Sequence, residues 1–420
     1  MQVDTLRYLD RYVGVPLCWV LTFLRKLGRA LGGAHPLPKP RRVLIIKLSE
    51  MGSTVLAYPA LAELKQRCPD AELFFLVFKN NAAIIEFLDL VPATNIVTVD
   101  YRSIGSLIVS GVLVIQRLLR EKIDTAIDMD FFSRLTALIS FLVCRSNRVG
   151  YHRYNDEGLY RGNLLTHRVL YSPHIHTSAA FMALVRTLFQ DPKDEPHYRG
   201  RIDPKELILP KFSPRPNDVQ SVGQKLAGCG IGKGQNGMLL LINPNSSDIF
   251  PLRKWPLESF ADLCQRLLSE IPRCQLVITG VAAEQKDARY IMERVRSPRC
   301  ADFTGKTSFG ELMALYSTAS LMVSNDSGPA HFASLLQLPT VVLFGPETPR
   351  LYGPMGRTHK NLYAEFACSP CVSVYNGKKS PCHENRCLKS ITVDEVFETI
   401  LELLPASDAP SIRLGNSPLS

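Results

Sequence analysis

Apolar and polar positions along the chain fall into two alternating kinds of run. Short continuous apolar stretches occur at 42–47 (RVLIIK), 72–77, 95–99, 125–128, 238–243 (MLLLIN), 275–279, 321–324 and 340–344. Runs of this length read as strands buried on both faces, as in a parallel sheet. Between them lie segments of helical period near 82–90, 104–119, 134–143, 179–189, 258–271, 284–295 and 393–404. Strands alternating with helices predict doubly wound α/β units, whose right-handed crossovers bring the loops at the strand carboxyl ends to one edge. Two such series exist, separated by a stretch rich in Pro, Lys, Asp and Gly. The expectation is therefore two Rossmann-like domains, 42–200 and 237–404, joined by a connection at 201–236.

The ends follow other patterns. Residues 13–24 (VGVPLCWVLTFL) are apolar, but the run is too short to span a bilayer and Pro16 interrupts it. Arg25, Lys26, Arg29, Lys39, Arg41 and Arg42 follow with no acid between them. A secretory signal is the rival reading, yet Asp4 and Asp10 lie in its front and no small-x-small cleavage site is clear. Residues 1–41 fit better as a membrane-surface segment, with Trp19 and Phe23 in lipid and the cations toward anionic headgroups. A helix packed on the protein's own surface is the alternative. Residues 405–420, polar with Pro and Ser, read as a disordered tail.

Composition narrows the partners. A length of 420 residues suits two domains, and 46% hydrophobic with 21% charged residues is the balance of a folded globular protein. The formal charge of +10 favours an anionic partner: a phosphorylated lipid surface, a nucleotide or a nucleic acid. No nucleic-acid-binding signature accompanies it, which argues against the last. Among the eleven cysteines, seven are scattered; the odd total and the lack of a cleavable signal argue for a reducing compartment. The other four, Cys368, Cys371, Cys382 and Cys387, have spacings that suit a structural zinc clip, with disulfides or plain thiols as competitors.

The richest chemistry sits in the second half. The turn Asn325-Asp326-Ser327-Gly328-Pro329-Ala330-His331 joins a strand to a helix. Asp326 or Ser327 suits the N-cap, Gly328 permits close backbone approach, and Pro329 suits the first helical position. Free amides and the positive end of a helix dipole there favour phosphate. Loops at 304–307 and 344–348 end two other strands, and all three loops are expected to converge on one edge. In the first half, Arg145 to Arg168 is basic and aromatic, reading as a solvated face or the lining of an acceptor cleft.

Together these stretches resemble glycosyltransferase family 9, the ADP-heptose:lipopolysaccharide heptosyltransferases, over roughly residues 42–404. The resemblance implies the GT-B architecture, two Rossmann-like domains facing across a cleft. It implies an inverting, metal-independent transfer from a nucleotide-diphosphate sugar of the ADP-heptose kind to a lipopolysaccharide-core or other glycolipid acceptor. It places the enzyme at the cytoplasmic face of a bacterial inner membrane, peripheral on its anionic surface, with no nucleic-acid partner and no cofactor required for catalysis. Ser246 and Ser247 match the phosphate-contacting loop. Arg253 stands where the family has a lysine before Trp-Pro, and Lys254 is adjacent, so the carrier of that charge stays open between them. Glu284 matches the acid on the ribose hydroxyls and Thr307 the backbone position at adenine. Asp326, Ser327, Gly328 and His331 match the diphosphate- and sugar-contacting turn. Asp128-Met129-Asp130 has the letters of a metal motif but reads as a strand end.

One position departs from the family. Gly52 is followed by Ser53 where members carry an Asp that deprotonates the acceptor. A serine of ordinary acidity cannot do that work. Glu50, three residues earlier in the same loop, is the candidate base, with a plain loop acid as the other reading. A sugar-nucleotide 2-epimerase on the same fold and a catalytically silent sugar-nucleotide-binding protein are the alternative functions.

Overall fold

A computed structural model describes residues 3–31, 39–155, 158–191, 198–232, 237–246 and 250–404; the expected tail and Ser247 lie outside the described residues. Contacts divide the chain into two units. The first runs to Leu209 and takes in Arg350–Tyr352 and Val372–Ser380, and the second holds the remainder from Pro210.

The first unit opens with α1 (Val3–Tyr12) and α2 (Gly14–Leu31). Next come β1 (Arg42–Ile46), α3 (Met51–Arg67), β2 (Glu72–Phe78), α4 (Ala82–Leu88), β3 (Ile96–Val99), α5 (Ile104–Arg120) and β4 (Thr125–Asp128). The unit continues with α6 (Arg134–Val143), β5 (Asn147–His152), β6 (His167–Leu170) and α7 (Thr177–Thr187). The strands form one six-stranded parallel sheet in the order β3-β2-β1-β4-β5-β6. Leu44, Ile46, Phe74 and Leu76 turn one face toward Val114 and Leu118 of α5 and Ile139 and Val143 of α6. Helix α3, buried along most of its length, packs with α7. A helix apolar on nearly every side belongs in such a place.

Strands β5 and β6 lie within the stretch whose charges read as a solvated face. Arg148 is buried in β5 because its guanidinium donates to Leu164 O at 2.7 Å and to Cys144 O at 2.8 Å, over the Phe141 ring. A cation satisfied by backbone carbonyls can occupy a strand interior, and pattern rules score it as surface. At the strand ends Lys47 pairs with Asp130 at 3.0 Å and Arg161 with Asp128, all four buried. Burial pushes the Asp128 carboxyl up to about 6 against the pull of Arg161.

The N-terminal helices dock on α6. Asp10 accepts from the amides of Arg134 and Leu135 at 2.8 and 3.0 Å and pairs with the Arg134 guanidinium at 3.0 Å. It thereby caps α6 and satisfies donors that a helix start leaves open. Cys18 faces inward, whereas Leu17, Trp19, Val20, Phe23, Leu24 and Leu27 are exposed. The inward face of α2 thus packs on the protein's own surface, and its other face is exposed. No described helix is long and apolar enough to cross a membrane.

The second unit contains α8 (Pro216–Gly228), β7 (Met238–Asn243), α9 (Leu257–Glu270), β8 (Cys274–Ile278), α10 (Gln285–Val295) and β9 (Cys300–Asp302). It continues with α11 (Phe309–Thr318), β10 (Leu321–Asn325), α12 (Gly328–Leu335), β11 (Thr340–Phe344), α13 (Pro349–Tyr352, which ends in the first unit), β12 (His359–Tyr363), α14 (Arg386–Lys389) and α15 (Val393–Leu403). Its sheet is again six-stranded and parallel, in the order β12-β11-β10-β7-β8-β9. Leu240, Ile242, Leu276, Val323 and Leu343 share a core with Trp255 and with α9 and α15. Two doubly wound sheets are the fold class the sequence implied.

Candidate functional site

In the second unit every strand is parallel, so the loops after β7, β8, β9, β10 and β11 leave one edge. The turn after β10 is fixed by Asn325: its Oδ1 accepts the Trp255 amide at 2.9 Å and its Nδ2 donates to Pro244 O at 2.8 Å. That residue ties three loops together. The helix starts one residue earlier than expected, with Ser327 as N-cap, Gly328 first and Pro329 second. Asp326 is buried, Ser327 and Gly328 are half-buried, and His331 is buried in the first turn of α12.

Arg253 reaches this turn. Its guanidinium lies 3.6 Å from Asp326 Oδ2 and 3.9 Å from Glu347 Oε2, with 16% of its side chain exposed. Lys254 goes elsewhere, pairing with Asp287 on α10 at 3.2 Å. The two adjacent cations therefore have different surroundings, and only Arg253 joins the turn. A guanidinium beside two carboxylates is held in place, and its remaining donors suit a planar oxyanion.

The loops after β7, β8 and β9 meet at Gly280. A Cβ there would lie 2.8 Å from Asn245 Nδ2, 2.8 Å from Glu284 Oε2 and 3.2 Å from Thr304 Cγ2. Glu284 Oε2 accepts from the Val281 amide at 2.8 Å, which holds the carboxylate at this mouth. Gly305 has φ +70°, and a Cβ on it would be 2.8 Å from Ala282 Cα; the half-buried Thr307 follows it. Ser246 is buried and donates to Phe250 O at 3.2 Å. Sequence reasoning passed over Asn245, Thr304 and Glu347. All three are at least 95% buried, and the side-chain polar atoms of Asn245 and Thr304 have no hydrogen-bond partner among the described residues. Polar atoms buried in that state at a loop mouth suit a polar ligand. The available signal was the position of Asn245 and Thr304, each two residues past the end of a strand.

In the first unit Glu50 follows β1 with a left-handed backbone, φ 68°. Lys378 Nζ lies 2.5 Å from its Oε1, and Lys378 is itself left-handed at φ 56°. Lys47 steadies the same loop by donating to Ser49 O at 2.6 Å. Tyr375, from the same segment as Lys378, donates to Tyr171 O at 3.2 Å and packs on the Tyr171 and Phe132 rings. Ser53 is buried and donates to Glu50 O at 2.9 Å, so its hydroxyl is engaged in the first turn of α3.

The four clustered cysteines are free thiols: Cys368 exposed, Cys371 and Cys382 half-buried, Cys387 buried. Burial raises the Cys387 thiol, with smaller contributions from Cys371 and Cys382 nearby. Among the described residues no three His, Cys, Asp or Glu side chains are grouped to hold a metal ion.

The sequence profile of glycosyltransferase family 9 (heptosyltransferase) matches residues 112–380. Lipopolysaccharide heptosyltransferase 2 of Salmonella typhimurium is 30% identical over 113 residues, covering 26% of this chain. That alignment spans only 31% of the Salmonella protein's length. Lipooligosaccharide heptosyltransferase 2 of Campylobacter jejuni is 24% identical over 364 residues, 85% of this chain and 96% of that protein. The solved structure of E. coli ADP-heptose lps heptosyltransferase II superposes with a TM-score of 0.64 at 18% identity, covering 86% of this chain and 98% of that one.

Proposed function

The chain belongs to glycosyltransferase family 9, and on that premise we propose that it moves a heptose-like sugar from a nucleotide-diphosphate donor to a glycolipid acceptor of the lipopolysaccharide-core kind. The observation that carries this reading is Arg253 held by Asp326 and Glu347 at the turn that starts α12. The donor's diphosphate lies at that turn, against the guanidinium and the helix amides. Glu284 takes the ribose hydroxyls, and Asn245 and Thr304 offer their buried polar atoms to the same ligand.

Transfer is a single displacement. Glu50 accepts the proton of the acceptor hydroxyl, and the oxygen attacks the anomeric carbon. The bond from that carbon to the diphosphate oxygen breaks, leaving its electron pair on the phosphate. Charge building there is met by Arg253 and the amides, so the reading assigns no step to a metal ion. Ser53 supports the Glu50 backbone. Lys378 is a positioning residue that holds the Glu50 side chain.

The exposed apolar face of α2 and the cations that follow it support a peripheral location at the cytoplasmic face of the inner membrane, where such acceptors are presented. Zinc, where the cysteine loop is concerned, is a matter of structure alone: stoichiometric metal in the purified chain would show that the four thiols close on an ion.

Calorimetric titration with a panel of nucleoside diphosphates tests the donor site, with ADP expected to bind most tightly. Assaying ADP-heptose consumption with and without a lipid acceptor tests the reaction. Consumption only with acceptor is the expected result. Turnover without acceptor would replace the reading by the isomerase, and binding without turnover by a silent protein.

A further inference from the structure

In the first unit's sheet the path β1 to β2 to β3 steps one way, and the path β3 to β4 to β5 steps the other. Right-handed crossovers therefore put α3 and α4 on one face and α5 and α6 on the opposite one. The core agrees: Val114 and Leu118 of α5 share a cluster with Ile139 and Val143 of α6. Helix α2 packs on α6 in turn, where Cys18 and Leu21 meet Ala137 and Phe141. The outer layer on this face thus consists of α5, α6 and α2.

Helix α5 is apolar on both sides. Leu107, Val114 and Leu118 pack toward the sheet. Ile104, Ile108, Val109, Val112, Leu113 and Leu119 are between 48 and 61% exposed. Their spacings of four and seven residues line them up as one outward stripe. Leu142 of α6 is exposed as well, and the stripe of α2 that carries Trp19 and Phe23 lies beyond it. On the opposite face α3, α4 and α7, which packs with α3, contribute no exposed large apolar side chain. An apolar surface gathered on one side of a unit marks an interaction face.

Charge is equally one-sided. Helices α2, α5 and α6 contain no Asp or Glu; their charged residues are Arg25, Lys26, Arg29, Arg117, Arg120 and Arg134. Arg25, Arg117 and Arg134 bond to Asn163 O, Thr94 O and Asp10, while Lys26 and Arg120 are exposed. Apolar stripes bordered by cations, with no carboxylate on the same helices, complement an anionic membrane surface. A second copy of the chain complements them poorly. In a two-fold dimer this face would meet itself, cations toward cations, with no carboxylate on these helices to pair with them.

We propose that α5 is a second membrane-contacting helix: the first unit rests on an anionic phospholipid bilayer through the outward stripes of α5 and α2, with Leu142 between them. The apolar side chains enter the boundary between headgroups and acyl chains, and the cations meet phosphate oxygens. Two separated stripes fix the orientation of the unit on the bilayer, which a single helix leaves free to roll about its axis. The inference rests on the peripheral membrane location proposed above.

The test is sedimentation of the full chain with vesicles of phosphatidylcholine, alone or mixed equally with phosphatidylglycerol. Wild type is expected to bind the mixed vesicles at least about fivefold more tightly than the neutral ones. Ile108→Gln/Leu113→Gln places good helix formers at two exposed positions, so helix content by circular dichroism should be unchanged. Binding of that variant to the mixed vesicles should fall about tenfold or more. Phe189→Gln, just past α7 on the opposite face, should change binding by less than about twofold. Undiminished binding of the α5 variant, where Trp19→Ala/Phe23→Ala lowers it, overturns the role of α5 and leaves the membrane location standing. An equal loss in the Phe189 control attributes binding to apolar exposure anywhere and also overturns that role. Equal wild-type binding to both vesicles overturns the anionic surface as the occupant. Binding to neither overturns the location and the inference together. A dimer's mass by light scattering, falling to a monomer's in the α5 variant of a chain that binds no vesicles, would reassign the face to a second copy.

Discussion

Arg253 and Lys254 are adjacent cations with different partners. Arg253 stands between Asp326 and Glu347, and Lys254 is paired with Asp287 on α10. An ion pair on a half-exposed surface contributes little, whereas a guanidinium aimed at a diphosphate makes charge-assisted hydrogen bonds. Arg253→Ala is therefore expected to weaken ADP binding by roughly 10- to 100-fold and Lys254→Ala by less than about threefold, read by calorimetry. A reversed order would move the site away from the turn. The Glu50–Lys378 pair makes a different prediction. Glu50→Gln should reduce transfer at least about 100-fold while ADP affinity stays within twofold, as expected when a base is lost. Lys378→Met should lower kcat about tenfold with KM for donor unchanged, since it releases the carboxylate from its position without touching the nucleotide. Full activity of the Glu50 variant would return that residue to a plain loop acid.

At the scale of elements, two contacts decide where helices sit. Helix α8 is fastened to α11 through Glu311, which accepts from Ser221 at 2.6 Å and Lys225 at 2.7 Å. These hydrogen bonds, Lys225 foremost, hold the Glu311 carboxyl down to about 2 from an ordinary 4.5. A depressed acid stabilises the fold above its unfolded value, and the contribution fades as pH falls from 4.5 toward about 2. Glu311→Gln should thus cost about 1–2 kcal/mol at neutral pH and flatten the acid limb of urea-denaturation stability in that window, the partly exposed lysine discounting the full shift. An unchanged acid limb would mean that the pair does not survive in solution. The second contact is Gly162 beneath α2. Gly162→Ala forces a side chain into a positive-φ backbone and against Thr22, at a cost of about 1–2 kcal/mol or more. Faster limited proteolysis of the N-terminal 31 residues, with the rest of the fold intact, is the expected result. Strands β5 and β6 belong here as well: their arginines and histidines hid them, because a residue alphabet of apolar and polar cannot register an Arg148 satisfied by carbonyls.

For the whole molecule, two sheets with separate cores predict separable unfolding. ADP at 100 times its Kd should stabilise the second unit's transition by about 2.7 kcal/mol and leave the first unit's unmoved. Calorimetric scans with and without ADP check this, and a shift confined to the first unit would relocate the nucleotide. By itself the sequence determined the two series of parallel strands, the edge that gathers their loops and the turn from Asn325 to His331. Those features follow from chain-local chemistry: apolar runs that must be buried, and residues whose backbone preferences end strands and start helices. Tertiary structure alone decided which cation faces the turn and that α2 is seated on one side and bare on the other. It also decided that Glu50 meets Lys378, 328 residues away in the chain. Partner choice between distant charges depends on packing that no window of sequence contains. For the same reason the four cysteine spacings fix only which thiols are near in sequence and not whether their sulfurs converge on an ion.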